Sequence, residues 1–296
     1  MPKIDKSQYS KAEWKKIREQ RRVEKEKKRL EQKAVAPVFE KGYPSYDAVN
    51  RNHPHNPLVN GQNYVLCLKH GPKYSSQYVN TLYSMVKRNL TIPFTMVCLT
   101  DDTKGIDKDI LCLDLPKELS GWWCKPYMYS ADLPLAQDST ILYMDLDVVI
   151  ANNINKLYEY EQDKWCVIRD FTRAMQPKWQ KYNSSVIRFK KGQLQSVWRE
   201  FIKDPQKIIK SHFGDQDWLY TSTHKNNPAQ LWPDEWIRSW KWEIRKERTL
   251  ASGAKGNRKF QQIEDVEPPA ECCITVFHGD PNPHNCDDPW VKINWC

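Results

Sequence analysis

Two aspartates one residue apart, Asp145 and Asp147, sit in an apolar run that reads ILYMDLDVVI over residues 141–150. Successive side chains on a strand point to opposite faces, so both carboxylates are expected on one side, with Leu146 between them. Carboxylates held that close repel one another and lose hydration, and a cation between them relieves both penalties. The run lies mid-chain after earlier strand-like segments, which suggests the carboxyl edge of an α/β sheet, where ligands bind. The residues therefore read as a metal site in an enzyme that handles a phosphate-bearing substrate.

Such a site needs a sheet behind it, and the preceding sequence supplies one. Residues 64–69 (YVLCLK) form a short apolar run that stops at His70-Gly71-Pro72, as a strand entering a loop does. Residues 75–90 carry Tyr78, Leu82, Met85 and Val86 at helical spacing. Residues 94–100 read as the next strand, ending at Asp101-Asp102, and residues 109–115 as a third. A helix is expected over residues 122–133, just ahead of the aspartate strand. Strands alternating with helices predict an α/β fold with a mostly parallel central sheet and flanking helices. His70, Lys73 and Asp101 stand at strand ends and are candidates for a nucleotide pocket. The second half is less regular: residues 165–169, 185–189 and 274–277 read as strands, and residues 193–202 as a helix.

At 296 residues and 40% hydrophobic, the chain can bury a large core, and no apolar run approaches the length of a membrane span. The net charge of +9 is concentrated at one end. Residues 1–35 hold 13 Lys/Arg against 6 Asp/Glu, whereas the remainder holds 33 against 31. That division predicts a charged helical or disordered arm at 1–35, able to contact a polyanion or a partner protein. An extended linker with four prolines follows at 36–62, and a single catalytic domain is expected over 63–296. Nine cysteines show no framework or zinc spacing, and several lie inside apolar runs; a reduced, cytoplasmic setting is the expectation.

Several further segments match one family in order. Asp145-Leu146-Asp147 resembles the metal-binding DxD of nucleotide-sugar glycosyltransferases with the GT-A fold, closest to the family 8 type. Lys125 stands where that family places a basic residue near the donor. Tyr182-Asn183-Ser184-Ser185-Val186 resembles its F-N-S-G-V segment, which implies that Asn183 contacts the donor sugar. Phe213-Gly214-Asp215-Gln216-Asp217 resembles its D-Q-D element, which implies Asp215 and Gln216 beside the reacting carbon. The ending resembles H-x-x-G-x-x-K-P-W, but aligned on Gly279 and Pro283 the metal histidine falls on Val276 and the phosphate lysine on Asn282. His278, two residues on and so on the same strand face, is the candidate third ligand, and Lys241 or Lys125 the candidate replacement cation.

The resemblance implies transfer of a sugar from a nucleotide-sugar donor, UDP-linked by default, with the anomeric configuration retained. The acceptor is open: a glycan, a protein or a small molecule. A divalent ion held by Asp145, Asp147 and His278 would act as a Lewis acid on the departing diphosphate, and this ligand set suits Mn²⁺ or Mg²⁺. Two other readings share these residues. A haloacid-dehalogenase-like phosphatase also uses an hhhhDxDxV strand, but normally at its start; a nucleic-acid-binding protein would act through the basic arm. Plainer roles are open too. Asp215 and Asp217 could cap a helix start, and Trp232, Trp236, Trp240 and Trp242 could be core or an acceptor platform.

Overall fold

The computed structural model describes residues 62–245 and 266–296 throughout, with parts of 10–24, 249–250 and 258–259. The expected linker at 36–62 lies outside these residues except for its last position. Among the described residues of the expected arm, those within 12–24 are helical, and this helix starts at a capping box, S-K-A-E in sequence. The Ser10 N–H and hydroxyl both donate to the Glu13 carboxylate, and the Glu13 N–H donates to the Ser10 hydroxyl.

The body is built on a seven-stranded sheet in the order β3-β2-β1-β4-β7-β6-β8. The strands are β1 (Asn63–Lys69), β2 (Thr95–Thr100), β3 (Leu111–Asp114), β4 (Thr140–Met144), β6 (Cys166–Arg169), β7 (Tyr182–Lys190) and β8 (Gln230–Leu231). Neighbours are parallel except on either side of β7, which runs antiparallel to both β4 and β6. The sheet is therefore mostly parallel, as expected. A smaller sheet joins β5 (Val148–Ile150), β12 (Ile274–Val276) and β9 (Ile237–Ser239), and β10 (Thr249–Leu250) pairs with β11 (Arg258–Lys259).

Alternation in β1 explains the layers. Val65 and Cys67 face one side, against α1 (Ser76–Asn89), whose Tyr78, Val79, Leu82, Met85 and Val86 form its buried stripe. Tyr64 and Leu66 face the other side, against a 3₁₀ helix at Gly121–Tyr129 and α3 (Gln195–Lys203), where Trp198 and Phe201 fill the space. Sheet strands covered on both faces are apolar nearly throughout; every residue of β2 is buried. Among the described residues of the body, four more α-helices follow: α2 (Lys156–Glu159), α4 (Pro205–Ser211), α5 (Asp215–Thr223) and α6 (Pro289–Asn294).

Two expectations change. The segment expected as a helix over 122–133 is the 3₁₀ helix, with Pro126 inside it; proline lacks the N–H an α-helix interior needs. The two aspartates are not on a strand. β4 ends at Met144, and Asp145-Leu146-Asp147 form the turn that carries the chain from the large sheet to the small one. Each end of the turn stays tied to a sheet: Asp145 N–H donates to Ser185 O of β7 (2.8 Å), and Phe277 N–H, just past β12, donates to Asp147 O (2.9 Å).

Candidate active site

The carboxyl ends of β1, β2 and β4 open on one edge, and the antiparallel β7 brings its beginning there instead of its end. This topology places the loops bearing His70 and Asp101, the aspartate turn, and Asn183 and Ser184 along a single rim. The first turn of α5 adds Asp215 and Gln216.

Lys125 is the hub. Its ammonium lies 2.8 Å from Asp145 Oδ1 and 3.7 Å from Asp215 Oδ2, and it donates to Ser184 Oγ at 3.2 Å. Ser184 in turn donates to Asp215 Oδ2 at 2.6 Å, and the Tyr143 hydroxyl donates to Asp145 Oδ1 at 2.6 Å. Burial opposes the Lys125 charge, yet Asp145, Asp215 and Asp147 outweigh it and hold the ammonium above its ordinary range. Burial pushes the Asp215 carboxyl up, and Lys125 and Ser184 pull it part of the way back. Asn183 donates to Gln216 Oε1 at 3.4 Å, joining the two elements that the resemblance places around the sugar.

Asp147 is held from another direction. The Tyr74 hydroxyl donates to its Oδ2 at 2.7 Å, and Lys73 donates to that hydroxyl at 2.7 Å. Burial first, and the Asp145 charge second, still raise Asp147 to about 6, because Tyr74, Lys73 and Lys125 only partly compensate. Tyr74 was not among the sequence candidates; its place directly after Lys73 at a strand-end loop was the available signal. The nucleotide-pocket candidates stay together. Gly71 N–H donates to both Asp101 oxygens (3.1 and 3.0 Å), Gly121 N–H donates to His70 Nδ1 (3.2 Å), and His70 Nε2 lies 3.9 Å from Asp101.

The expected third ligand, His278, follows Phe277, whose N–H donates to Asp147 O, and its ring is engaged by other groups. His278 pairs through Nε2 with Ser239 Oγ at 2.6 Å, stacks on Phe171 and meets Trp242 edge-on. Burial first, then the Lys241 charge, lower it to about 4. Lys241 itself donates to Asp280 O at 3.4 Å. Among the described residues, no three His, Cys, Asp or Glu side chains are gathered so as to hold a metal ion. The offset of two residues from the family pattern preserves the strand face, but the chain has already passed β12 when it reaches His278, so the face argument no longer applies.

Two carboxylates nonetheless fit a divalent ion that completes its shell with water and substrate phosphate, as Mg²⁺ commonly does. The observation in favour is geometric: both carboxylates sit on one turn at the ligand edge, and Lys125 pairs at 2.8 Å with Asp145, while burial first and the Asp145 charge second raise Asp147.

Neither Asp215 nor Asp217 is the N-cap of α5, which is Gly214. Asp217 accepts from Phe213 N–H at 3.2 Å just ahead of α5 and pairs with Lys181 at 3.8 Å, whereas Asp215 turns into the cluster. Trp232 and Trp240 are core, with indole N–H groups on Val186 O and Asp288 Oδ2. Trp236 packs edge-on against Tyr160, and Trp236 and Trp242 are partly buried against the core.

No protein-family model matches the sequence, and no curated protein matches it. Solved structures do match in three dimensions. An active-site mutant of LgtC superposes with a TM-score of 0.53 at 12% identity, over 78% of this chain and 93% of that one. The galactosyltransferase LgtC in complex with donor and acceptor sugar analogues gives a TM-score of 0.50 at 10% identity, with the same coverage. The glycosyltransferase GlyE of Streptococcus pneumoniae TIGR4 gives 0.54 at 12%, over 79% of this chain, which spans 60% of GlyE. At these identities the likeness establishes the fold: the chain has the GT-A fold shared by those glycosyltransferases.

Proposed function

We propose that this chain is a glycosyltransferase that moves a sugar from a nucleotide-sugar donor, UDP-linked by default, to an acceptor with retention of configuration. The observation that carries the reading is the convergence of Lys125, Asp145, Asp147 and Asp215 on the ligand edge of a GT-A sheet. Four charged side chains from three separate segments are costly to bury together, and a stably folded chain keeps such a cluster where charge is handled.

Asp145 and Asp147 would hold a divalent ion, Mn²⁺ or Mg²⁺, and when bound it would supply Lewis-acid neutralisation of the diphosphate leaving group. His70, Lys73 and Asp101 would bind the nucleotide half along the ends of β1 and β2. Lys125 would then face the bond that breaks, holding Asp145 and Asp215 apart while countering charge that develops on the bridging oxygen. Asn183 and Gln216, hydrogen-bonded to each other, would fix the sugar over Asp215. Asp215 would steady positive charge developing at the anomeric carbon as that bond lengthens.

The test is nucleotide release from UDP- and GDP-sugars with Mn²⁺, with and without EDTA, beside Asp147→Asn. Release from one donor, abolished by chelation and by the substitution, is the expected result. Silence on every donor together with metal-dependent cleavage of a phosphomonoester would overturn the transferase reading in favour of the phosphatase.

A further inference from the structure

Among the described residues only four large hydrophobic side chains are exposed, and the two aromatic ones, Trp122 (48%) and Phe213 (73%), lie within three positions of Lys125 and Asp215, which pair at 3.7 Å. Trp122 precedes Lys125 by three positions in the 3₁₀ helix, where residues three apart eclipse one another, so the indole stands over the face from which the ammonium reaches Asp215. Phe213 precedes Asp215 by two. The backbone between them runs against the indole: a Cβ on Gly214 would lie 3.6 Å from Trp122 Nε1. Two segments about ninety residues apart in sequence thus meet at one aromatic rim.

From this we propose that Trp122 and Phe213 form the acceptor subsite, a stacking platform for the apolar face of a pyranose, so that the acceptor is itself a glycoside. The inference rests on the glycosyltransferase reading. A pyranose ring presents C–H bonds on its face and hydroxyls at its edge, which suits half-exposed aromatic rings whose borders stay wet. The position fits an acceptor better than a nucleobase. Gly121, next to Trp122, donates to His70 on the nucleotide side, while Trp122 and Phe213 extend from there toward Asp215, where the reacting carbon would lie.

The probe set is methyl α- and β-glycosides of common hexoses and N-acetylhexosamines, observed by saturation-transfer NMR on the full chain with UDP and diamagnetic Mg²⁺ present. Saturation is expected on the face protons of at least one glycoside, falling at least fivefold in Trp122→Ala and in Phe213→Ala and largely retained in Trp122→Phe. Both positions are exposed, and unchanged melting curves would confirm folded variants. The proposal is overturned by a panel that receives no saturation, by variants that receive as much as the wild type, or by loss of saturation on uracil protons in the variants. It is equally overturned by sedimentation showing a dimer that either substitution dissociates. Donor turnover separates this failure from that of the function: nucleotide release without glycoside saturation removes the platform alone, and saturation without any release removes the transferase.

Discussion

Asp147→Asn is expected to stabilise the protein while disabling it. The Asp147 carboxyl is raised to about 6 from an ordinary 3.8 by burial and by Asp145. A carboxylate whose folded pKa lies above its unfolded value destabilises the fold once ionised. The cost grows as pH rises from about 4 to about 6 and is constant above that. The gap corresponds to about 3 kcal/mol at about 1.4 kcal/mol per tenfold change in proton affinity. Asparagine keeps the shape, can still accept from the Tyr74 hydroxyl and carries no charge to desolvate. In EDTA, urea unfolding at pH 7.5 should therefore show the variant more stable by about 2–3 kcal/mol, while at pH 4 the two proteins should coincide. Adding Mn²⁺ at 100 times its dissociation constant should raise wild-type stability by about 2.7 kcal/mol and leave the variant unmoved. A variant less stable than wild type at pH 7.5 would refute the reasoning. It would mean that Tyr74, Lys73 and Lys125 fully compensate the buried charge.

Lys125→Met removes the hub and leaves Asp145 and Asp215 facing each other. The expected loss is about 3–5 kcal/mol at pH 7.5, shrinking as pH falls and the carboxyls take up protons, measured by the same urea series. His278→Gln should leave Mn²⁺ affinity within twofold by calorimetry, because Ser239, Phe171 and Trp242 hold the ring away from a ligand role. Its pH signature has the opposite sign to that of Asp147. A histidine lowered to about 4 weakens the fold as pH drops from about 6.5 toward 4, and the glutamine variant should lose that slope. Arg188→Met should cost well over 3 kcal/mol or prevent soluble expression. The buried guanidinium donates to the carbonyls of Leu157, Tyr158, Tyr160, Glu161 and Lys164, and each acceptor stranded without a donor costs about 1–3 kcal/mol.

Elements whose signals are local can be read directly from the order of residues. The run at 64–69, the stripe of Tyr78, Leu82, Met85 and Val86, and the strand before Asp145 each carry their own period, and each lies where expected. The charge of the paired aspartates was also legible, since adjacency in sequence forces proximity whatever the fold. What answers that charge was not. Lys125 and Asp215 meet across 90 positions only because the 3₁₀ helix and α5 pack on the same sheet face, and Tyr74 reaches Asp147 only because β1 lies beside β4. His278 shows the same limit in reverse: a two-residue offset preserves a face only while the strand lasts, and the strand had ended at Val276. Local periodicity fixes which way a side chain leaves its own element, whereas the partner it finds is set by crossovers and packing that no window of sequence contains.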